Sequence, residues 1–341
     1  MKMHENNERF YLKDYSSIDA KTWDSFVYNN SFGFTYYRYE YLKIDEVEMT
    51  ENCSFLIIDK LTGKILVLCP LFIKKNDGGG IECVYCRNGV LINNEMGNSL
   101  KNKVGSYFIS YINSILTTSI EKRIYSEIPA LAMIEDRMNN PLLFYGFKPC
   151  IRYTWITNIS DSPELFLSRC ESSTRRDIKR IENESKYYIE EISDNKKESD
   201  NYYHEFYDLC HETYFRNGIS AKSDEYYKNV FYNLDDSYRR IFYLRNRHNN
   251  KVMVLSVFFI YRDKAHYSIG ASTTVKERGV SKLLIYKSLI ELHKLGIKYV
   301  EMGGAYPYLP HGEKMRGISD FKKSFGCELY PMHMGEFVFR H

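Results

Sequence analysis

The 341-residue chain lacks long apolar runs and carries little excess charge. No apolar stretch approaches the roughly 20 residues that a membrane-spanning helix needs. The first residues, Met1 to Asp14, are polar and contain no signal-peptide core. We therefore expect a cytoplasmic protein without a transmembrane segment, whose eight cysteines are mostly reduced. The net charge of +3 is too small to indicate a nucleic-acid-binding protein by itself.

The sequence also lacks a recognisable set of metal ligands. Cys83 and Cys86 form a Cys-x-x-Cys pair, but no second spaced pair completes the four ligands of a structural zinc site. Packing thiols are the favoured interpretation, with a redox or metal role as the alternative. His211 and Glu212 could begin an H-E-x-x-H motif, but Phe215 stands where the second histidine is required. We expect no metal.

What the chain does contain is one order of elements that occurs twice. Alternating apolar residues predict a hairpin at 54–74, followed by a helix at 100–116, a strand at 123–128 and a strand ending near Trp155. A second hairpin at 240–261 is followed by a strand at 265–269, a helix at 279–295, a strand at 297–302 and a strand ending near Phe339. The spacing of about 175 to 190 residues indicates a duplicated α/β unit with mixed sheets. We predict an N-terminal domain over 1–160, a linking segment over 161–200 and a C-terminal domain over 201–341.

The linking segment is charged. Residues 161–186 predict one helix whose apolar face consists of Leu165, Phe166, Cys170, Ile178 and Ile181. Residues 193–200 are typical of a solvated linker. No sustained heptad occurs here, so no coiled-coil arm is expected.

The region from Lys294 to Gly326 has the pattern of a functional site. Gly296 is placed to end a helix, and the paired Gly303 and Gly304 follow the predicted strand as a turn where another group can approach closely. A short helix carrying Phe321 and Lys322 comes soon afterwards.

Three ordered motifs resemble the FemAB/FemX family of peptidyltransferases. The first combines Glu301-Met302-Gly303-Gly304 with Phe321-Lys322-Lys323-Ser324-Phe325-Gly326. The second is Ser173-Thr174-Arg175-Arg176-Asp177-Ile178-Lys179-Arg180, and the third is Glu212-Thr213-Tyr214-Phe215-Arg216-Asn217-Gly218. The resemblance covers most of the chain and implies two acetyltransferase-like (GNAT) domains in tandem. It also implies transfer of an aminoacyl group, from aminoacyl-tRNA, to an amine of a peptidoglycan-type precursor of the cell envelope.

The resemblance and the residue types together predict site residues. Lys322 would be the catalytic group, since a fixed cation near the acyl oxygen stabilises the negative charge that develops there. Expected substrate-binding residues are Arg216, Tyr267, Lys43, Phe321, Gly303, Gly304 and Tyr306, although Phe321 and Phe325 are separately expected to pack in the core. Arg175, Arg176 and Lys179 would bind donor phosphates, and the alternative is a solvated helix face paired with Glu182 and Glu184. No general base is identified.

One turn in the sequence bears on whether the acyl donor is acetyl-CoA. Enzymes that use acetyl-CoA hold its pyrophosphate on glycine-rich backbone at a helix N-terminus. Here that turn reads Lys276-Glu277-Arg278-Gly279-Val280-Ser281, in which Glu277 adds negative charge. We therefore expect no cofactor, with tRNA and an envelope precursor as partners and peripheral membrane contact only through a lipid-linked substrate. The alternatives are an N-acyltransferase that uses acyl-CoA or acyl carrier protein on an amino sugar or small amine, and a binding protein without activity.

Overall fold

The computed structural model describes residues 9–86, 88–120, 123–134, 140–194, 200–274 and 277–338. The chain forms two compact units, one comprising Met1–Arg152 with Pro331–His341 and the other Tyr153–Tyr330. The predicted strand end at Phe339 and residues 195–199 of the predicted linker lie outside the described residues.

The first unit contains mixed α/β structure. Its strands are β1 (Phe10–Asp14), β2 (Glu51–Asn52), β3 (Phe55–Asp59), β4 (Ile65–Cys69), β5 (Phe72–Lys75), β6 (Ile81–Tyr85), β7 (Leu91–Ile92), β8 (Arg123–Glu127) and the end of β15 (Glu328–Val338). Its helices are α1 (Ala20–Asn29), α2 (Tyr39–Glu46) and α3 (Asn98–Thr117). One sheet has the order β1-β3-β4-β7 and a smaller one the order β2-β5-β6.

The core of the first unit is built on α3. Val104, Phe108 and Ile112 recur every four residues, so they share one helix face, and all three are buried. The ring of Phe108 lies 6.3 Å from that of Phe55 on β3. The predicted helix at 100–116 and the predicted strand at 123–128 are confirmed within about two residues. The predicted hairpin is confirmed as β3 and β4, but it ends at Cys69 and not at residue 74.

The second unit contains one large sheet. Its strands are β9 (Lys148–Asn158, from Tyr153), β10 (Tyr187–Glu191), β11 (Arg239–Asn246), β12 (Val252–Tyr261), β13 (Lys264–Ser272) and β14 (Tyr299–Gly304). They follow the order β10-β11-β12-β13-β14-β9, in which β13 and β14 are parallel and the other neighbours antiparallel. The helices are α4 (Pro163–Arg169), α5 (Ser172–Asn183), α6 (Asp200–Arg216), α7 (Asp224–Lys228), α8 (Val280–Lys294) and α9 (Lys314–Lys323).

Two strands, β9 and β15, pair outside the domains to which sequence order assigned them. Residues 154–158 of β9 pair with β14 of the second unit, whereas residues 334–338 of β15 pair with β8 of the first. The observed division therefore differs from the predicted boundaries at 160 and 201, because main-chain hydrogen bonds place these strands outside the domains to which sequence order assigned them. The segment 161–194 also belongs to the second unit.

The single helix predicted over 161–186 is wrong. The chain leaves helical conformation at Cys170, where ψ is 151°, and two helices, α4 and α5, result. The Glu171 N–H donates to the Ser324 carbonyl instead of continuing the first helix. Phe166, Cys170, Ile178 and Ile181 are buried as predicted, but Leu165 is 58% exposed.

Candidate functional site

The second unit has an opening in its sheet, between the two parallel strands. β13 and β14 pair only over Lys264–His266 and Tyr299–Glu301. Beyond this point β13 continues along β12 to Ser272, and β14 continues along β9 to Gly304. The two strands therefore separate toward their carboxyl ends, which is the edge where open α/β sheets bind ligands.

Gly303 lies on the β14 side of this opening. Its predicted place in a turn is wrong, because Gly303 and Gly304 still belong to β14 and pair with Trp155 and Thr154. The register shifts between Glu301 and Gly303, and Gly303 has a φ of 86°. Glycine suits this strand irregularity since a side chain would be strained there.

Lys322 reaches this glycine from α9. A methyl group placed on Gly303 would lie 2.9 Å from Lys322 Nζ, so the ammonium occupies the space that a side chain would fill. Burial lowers the pKa of Lys322 to about 8, although the nearby Glu301 carboxylate opposes that decrease. Within the described part of the chain the ammonium makes no hydrogen bond or ion pair. It is a desolvated cation available to a ligand.

The Glu301 carboxylate lies near the Lys322 ammonium and is bonded to Thr154. The Glu301 carboxylate is only 5% exposed and accepts a hydrogen bond of 2.9 Å from the Thr154 hydroxyl. A buried carboxylate near a lysine stabilises the charged form of that lysine. The pair therefore offsets part of the desolvation of Lys322.

His266 was not among the sequence candidates. Its Nε2 lies 3.9 Å from the same methyl position on Gly303, so Lys322 Nζ and His266 Nε2 approach one point from two elements. Its Cα partner across the last paired position of β13 and β14 is Glu301. No motif marks this histidine; only the strand pairing brings it to Gly303.

Tyr306 and Phe321 lie close to the same strand end. The Tyr306 hydroxyl is 3.0 Å from a methyl position on Gly304, so its ring covers that glycine. Its N–H donates to the Ser319 hydroxyl on α9, which also accepts from the Trp155 indole. Phe321 packs against the core with its ring 5.3 Å from Phe325.

Tyr267 and Arg216 lie along β13. The Tyr267 hydroxyl extends over Gly270, and burial raises its pKa. Arg216 is the last residue of α6, and its guanidinium donates to the Ser272 carbonyl at 3.0 Å and to the Ser272 hydroxyl at 3.2 Å. The side chain remains about one-third exposed. Arg216 thus lies at the carboxyl end of β13, and phosphate binding by it stays a prediction.

The predicted phosphate-binding residues occupy α5, but they differ in their availability. Arg175 donates to the carbonyls of Ser168 and Cys170, where it secures the junction between α4 and α5. Arg176 and Lys179 are exposed. The role of all three toward a donor remains a prediction.

The N-terminus of α8 is covered by α5. A methyl group on Gly279 would lie 3.0 Å from Asp177 Cβ. Burial acts to raise the pKa of Asp177, but the ion pairs with Lys282 and Arg278 act more strongly in the opposite direction. The pKa of Asp177 is therefore lowered. Glu277 is paired with Lys186, while Lys276 lies outside the described residues. A carboxylate of the chain itself is therefore present at this helix end.

The remaining candidates lie in the first unit. Lys43 is exposed, forms an ion pair of 3.4 Å with Glu40 and lies over the ring of Tyr39. Cys86 is buried with its sulfur 3.7 Å from that of Cys69, and both are free thiols. Among the described residues, no cluster of three histidine, cysteine or acidic side chains could hold a metal ion.

Comparisons with known proteins agree with this fold. No protein-family model and no curated protein matches the sequence. A structure of FemX is similar with a TM-score of 0.67 at 13% identity, covering 95% of this chain and 96% of that one. A tandem GNAT protein from the clavulanic acid biosynthesis pathway has a TM-score of 0.52 at 10% identity, covering 97% and 99%.

A third similar structure is the C-terminal domain of a putative lysylphosphatidylglycerol synthetase from Agrobacterium fabrum. Its TM-score is 0.56 at 11% identity, and it covers 88% of this chain and 92% of that one. The chain therefore has the tandem GNAT fold that FemX also shows, as the sequence predicted. Across the described ranges, no helix has both the length and the apolar character needed to cross a bilayer.

Proposed function

We propose that this chain is an acyltransferase which moves an aminoacyl group from aminoacyl-tRNA to an amine on a peptidoglycan-type precursor of the cell envelope. The observation that supports it best is the position of Lys322, whose desolvated ammonium rests on Gly303 where β13 and β14 separate. A cation held in this way costs folding free energy, and such costs are typical of functional sites.

The chemistry follows from the charge that acyl transfer creates. When an amine attacks the carbonyl carbon of an ester, the carbonyl oxygen becomes negative, and a fixed cation stabilises it. With a pKa of about 8, Lys322 is mostly protonated at neutral pH and can fill this role. Glu301, which accepts a hydrogen bond from Thr154, raises the pKa of Lys322 and so supports its protonated form.

The donor assignment rests on the N-terminus of α8. A CoA pyrophosphate at Gly279 would meet the buried carboxylate of Asp177 and would compete with it for Lys282. Two like charges close together in a poorly solvated place repel. An ester carried by tRNA does not require this helix end, and exposed Arg176 and Lys179 on α5 offer its phosphates cationic partners.

The acceptor is assigned through residues around the strand ends and on α2. On the family resemblance, Arg216 and Lys43 are assigned to acceptor phosphates and Tyr267 to the acceptor. Phe321 is assigned to a further substrate contact, and Tyr306 to stacking on the substrate through its aromatic ring. Since charged tRNA is an intracellular substrate, we place the reaction in the cytoplasm, with membrane contact only through a lipid-linked acceptor.

The direct test is a transfer assay with purified protein. Total tRNA charged with labelled amino acids is incubated with a nucleotide-linked muropeptide, and mass spectrometry measures whether the acceptor gains one aminoacyl residue. Parallel reactions replace charged tRNA with acetyl-CoA or long-chain acyl-CoA. We expect addition only with charged tRNA, and prior ribonuclease treatment should abolish it.

Transfer from acyl-CoA but not from charged tRNA would assign the chain to the CoA-dependent alternative. Absence of transfer from every donor, with folded protein, would contradict the enzymatic proposal and support a binding protein.

A further inference from the structure

Two side-chain nitrogen atoms lie beside Gly303, one in the ammonium of Lys322 and one in the imidazole of His266. Lys322 Nζ and His266 Nε2 lie 2.9 and 3.9 Å from one methyl position on Gly303, so they are within about 7 Å of each other. Lys322 belongs to α9 and His266 to β13, and neither position depends on a flexible loop.

His266 is held where the two strands begin to separate. It lies opposite Glu301 in the last paired position of β13 and β14, and opposite Phe259 on β12. The strand thus has paired neighbours on both sides at this residue, so its backbone is fixed. The side chain is half-buried, which lets it reach a ligand while remaining shielded from bulk water.

Building on the proposed acyl transfer, we propose that His266 is the general base that takes the proton from the attacking amine. In a tetrahedral intermediate the oxyanion and the new nitrogen are attached to one carbon. A donor on the oxygen and an acceptor on the nitrogen, each at about 2.9 Å, then lie roughly 5 to 8 Å apart. The upper limit of about 7 Å on the separation of Lys322 Nζ and His266 Nε2 is compatible with this arrangement.

The bond changes balance without any further reactant. The amine nitrogen forms a bond to the carbonyl carbon, and the π electrons move to the oxygen beside Lys322. His266 Nε2 accepts the proton released by the nitrogen. The carbon–oxygen bond of the ester then breaks, and the protonated imidazole returns the proton to the departing ribose oxygen.

The other titratable groups in this part of the second unit are less suitable than His266 as the general base. Glu301 is buried and accepts a hydrogen bond from Thr154. Burial raises the pKa values of Tyr267 and of Cys327, so neither readily becomes an anion. Imidazole is the side chain whose ordinary pKa lies nearest neutrality, and it can both accept and return a proton.

The test uses the full chain and the charged-tRNA assay with saturating muropeptide. We expect His266→Ala to lower the turnover rate by about 10² or more, with little change in the KM for charged tRNA. Free imidazole added to the buffer should restore part of the activity of this variant but not of Lys322→Met. His248→Ala, which changes an exposed histidine in the turn between β11 and β12, is the matched control and should behave as wild type.

If His266→Ala does not fold, His266→Gln replaces it, because glutamine retains a polar side chain of similar reach but is not a base. Wild-type turnover by either folded variant, or a loss of activity in His266→Ala that imidazole does not rescue, would overturn the assignment of the base while leaving the proposed function intact. Absence of transfer by the wild-type protein would overturn the proposed function, and the base assignment with it.

Discussion

At the scale of single residues, the buried ammonium of Lys322 lowers the stability of the fold, and it is the group to which we assign the catalytic role. Its ammonium lies over Gly303 in a poorly solvated place, and the Glu301 carboxylate compensates only in part. Lysines on a helix surface do not ordinarily lose solvation in this way. Two predictions separate the catalytic contribution of Lys322 from its effect on stability.

The first prediction concerns turnover. Lys322→Met retains the apolar stem but removes the charge, so we expect the rate of aminoacyl transfer to fall by about 10² or more, as on removal of one oxyanion donor. Steady-state kinetics with both substrates saturating measure this. Lys323→Met, at the exposed neighbouring position of the same helix, is the control and should change the rate little. Equal turnover of the two variants would mean that Lys322 does not stabilise the oxyanion.

The second prediction concerns stability and pH. The pKa of Lys322 is about 8 in the folded chain and 10.5 ordinarily, so the unfolded chain binds more protons between these values and stability rises with pH across them. Lys322→Met lacks this dependence. Below pH 8 we expect the variant to be more stable than wild type by on the order of 1 kcal/mol, a figure reduced for the partial exposure of the side chain.

Denaturant unfolding at a series of pH values measures the difference, which should narrow as the pH approaches 10.5. A constant difference from pH 7 to 10.5 would show that the lysine has an ordinary pKa in the folded chain.

At the scale of elements, the end of β14 depends on a glycine for two separate reasons. Gly303 has a φ of 86°, and a methyl group there would also press on Lys322 Nζ. Gly296, which follows α8, has a similar φ of 83° but has no atom within 4 Å of its methyl position. Gly296 is therefore a control for Gly303, since the two share a backbone conformation and only Gly303 has a side chain against it.

The third prediction uses this pair. Gly296→Ala should cost only the backbone strain, about 1 to 2 kcal/mol. Gly303→Ala should cost more and should also lower turnover, because Lys322 is displaced. In the double variant Gly303→Ala with Lys322→Met the additional cost should disappear. Thermal unfolding of wild type, the two single variants and the double variant measures this. Simple additivity would show that the ammonium does not fill the space over Gly303.

The fourth prediction concerns α5. Arg176 and Lys179 are exposed, whereas Arg175 is hydrogen-bonded to the end of α4. Arg176→Ala and Lys179→Ala should each weaken binding of charged tRNA and lower the salt dependence of log K by about one. Arg175→Ala should chiefly lower stability. Unchanged salt dependence in the first two variants would exclude α5 from the tRNA contact.

At the scale of the whole molecule, the first unit includes a segment from the far end of the chain. Residues 334–338 of β15 pair with β8, and the buried Phe337 lies 5.5 Å from the ring of Phe147. Phe337 occurs near the C-terminus, yet it contributes to the core of the first unit.

The fifth prediction tests the pairing of β15 with β8. Phe337→Ala should destabilise the chain by about 3 to 5 kcal/mol, and hydrogen exchange should accelerate first in β8 and not in β13 or β14. Leu329→Ala, at an exposed position of the same strand, should have little effect. Loss of protection confined to β13 and β14 would contradict the observed strand pairing.

The sequence by itself determined the local elements and the fold class. Apolar periodicity located α3, α8 and the hairpins, since side chains repeat every 3.6 residues in a helix and every two in a strand. The resemblance to the FemAB/FemX family predicted the tandem GNAT fold, and Gly296 ends α8 with a positive φ as expected. The same resemblance selected Lys322, whose catalytic role stays a prediction. These features depend on residues close together in the chain.

Only the tertiary structure decided what depends on distant segments. Sequence order could not show that β9 and β15 pair outside their own halves, or that Gly303 remains in a strand, because pairing partners are chosen by the packing of the whole sheet. His266 is an ordinary strand residue until β14 and α9 place Gly303 and Lys322 beside it. The break at Cys170 likewise arises from a bond to the distant Ser324, which local helix propensity does not contain.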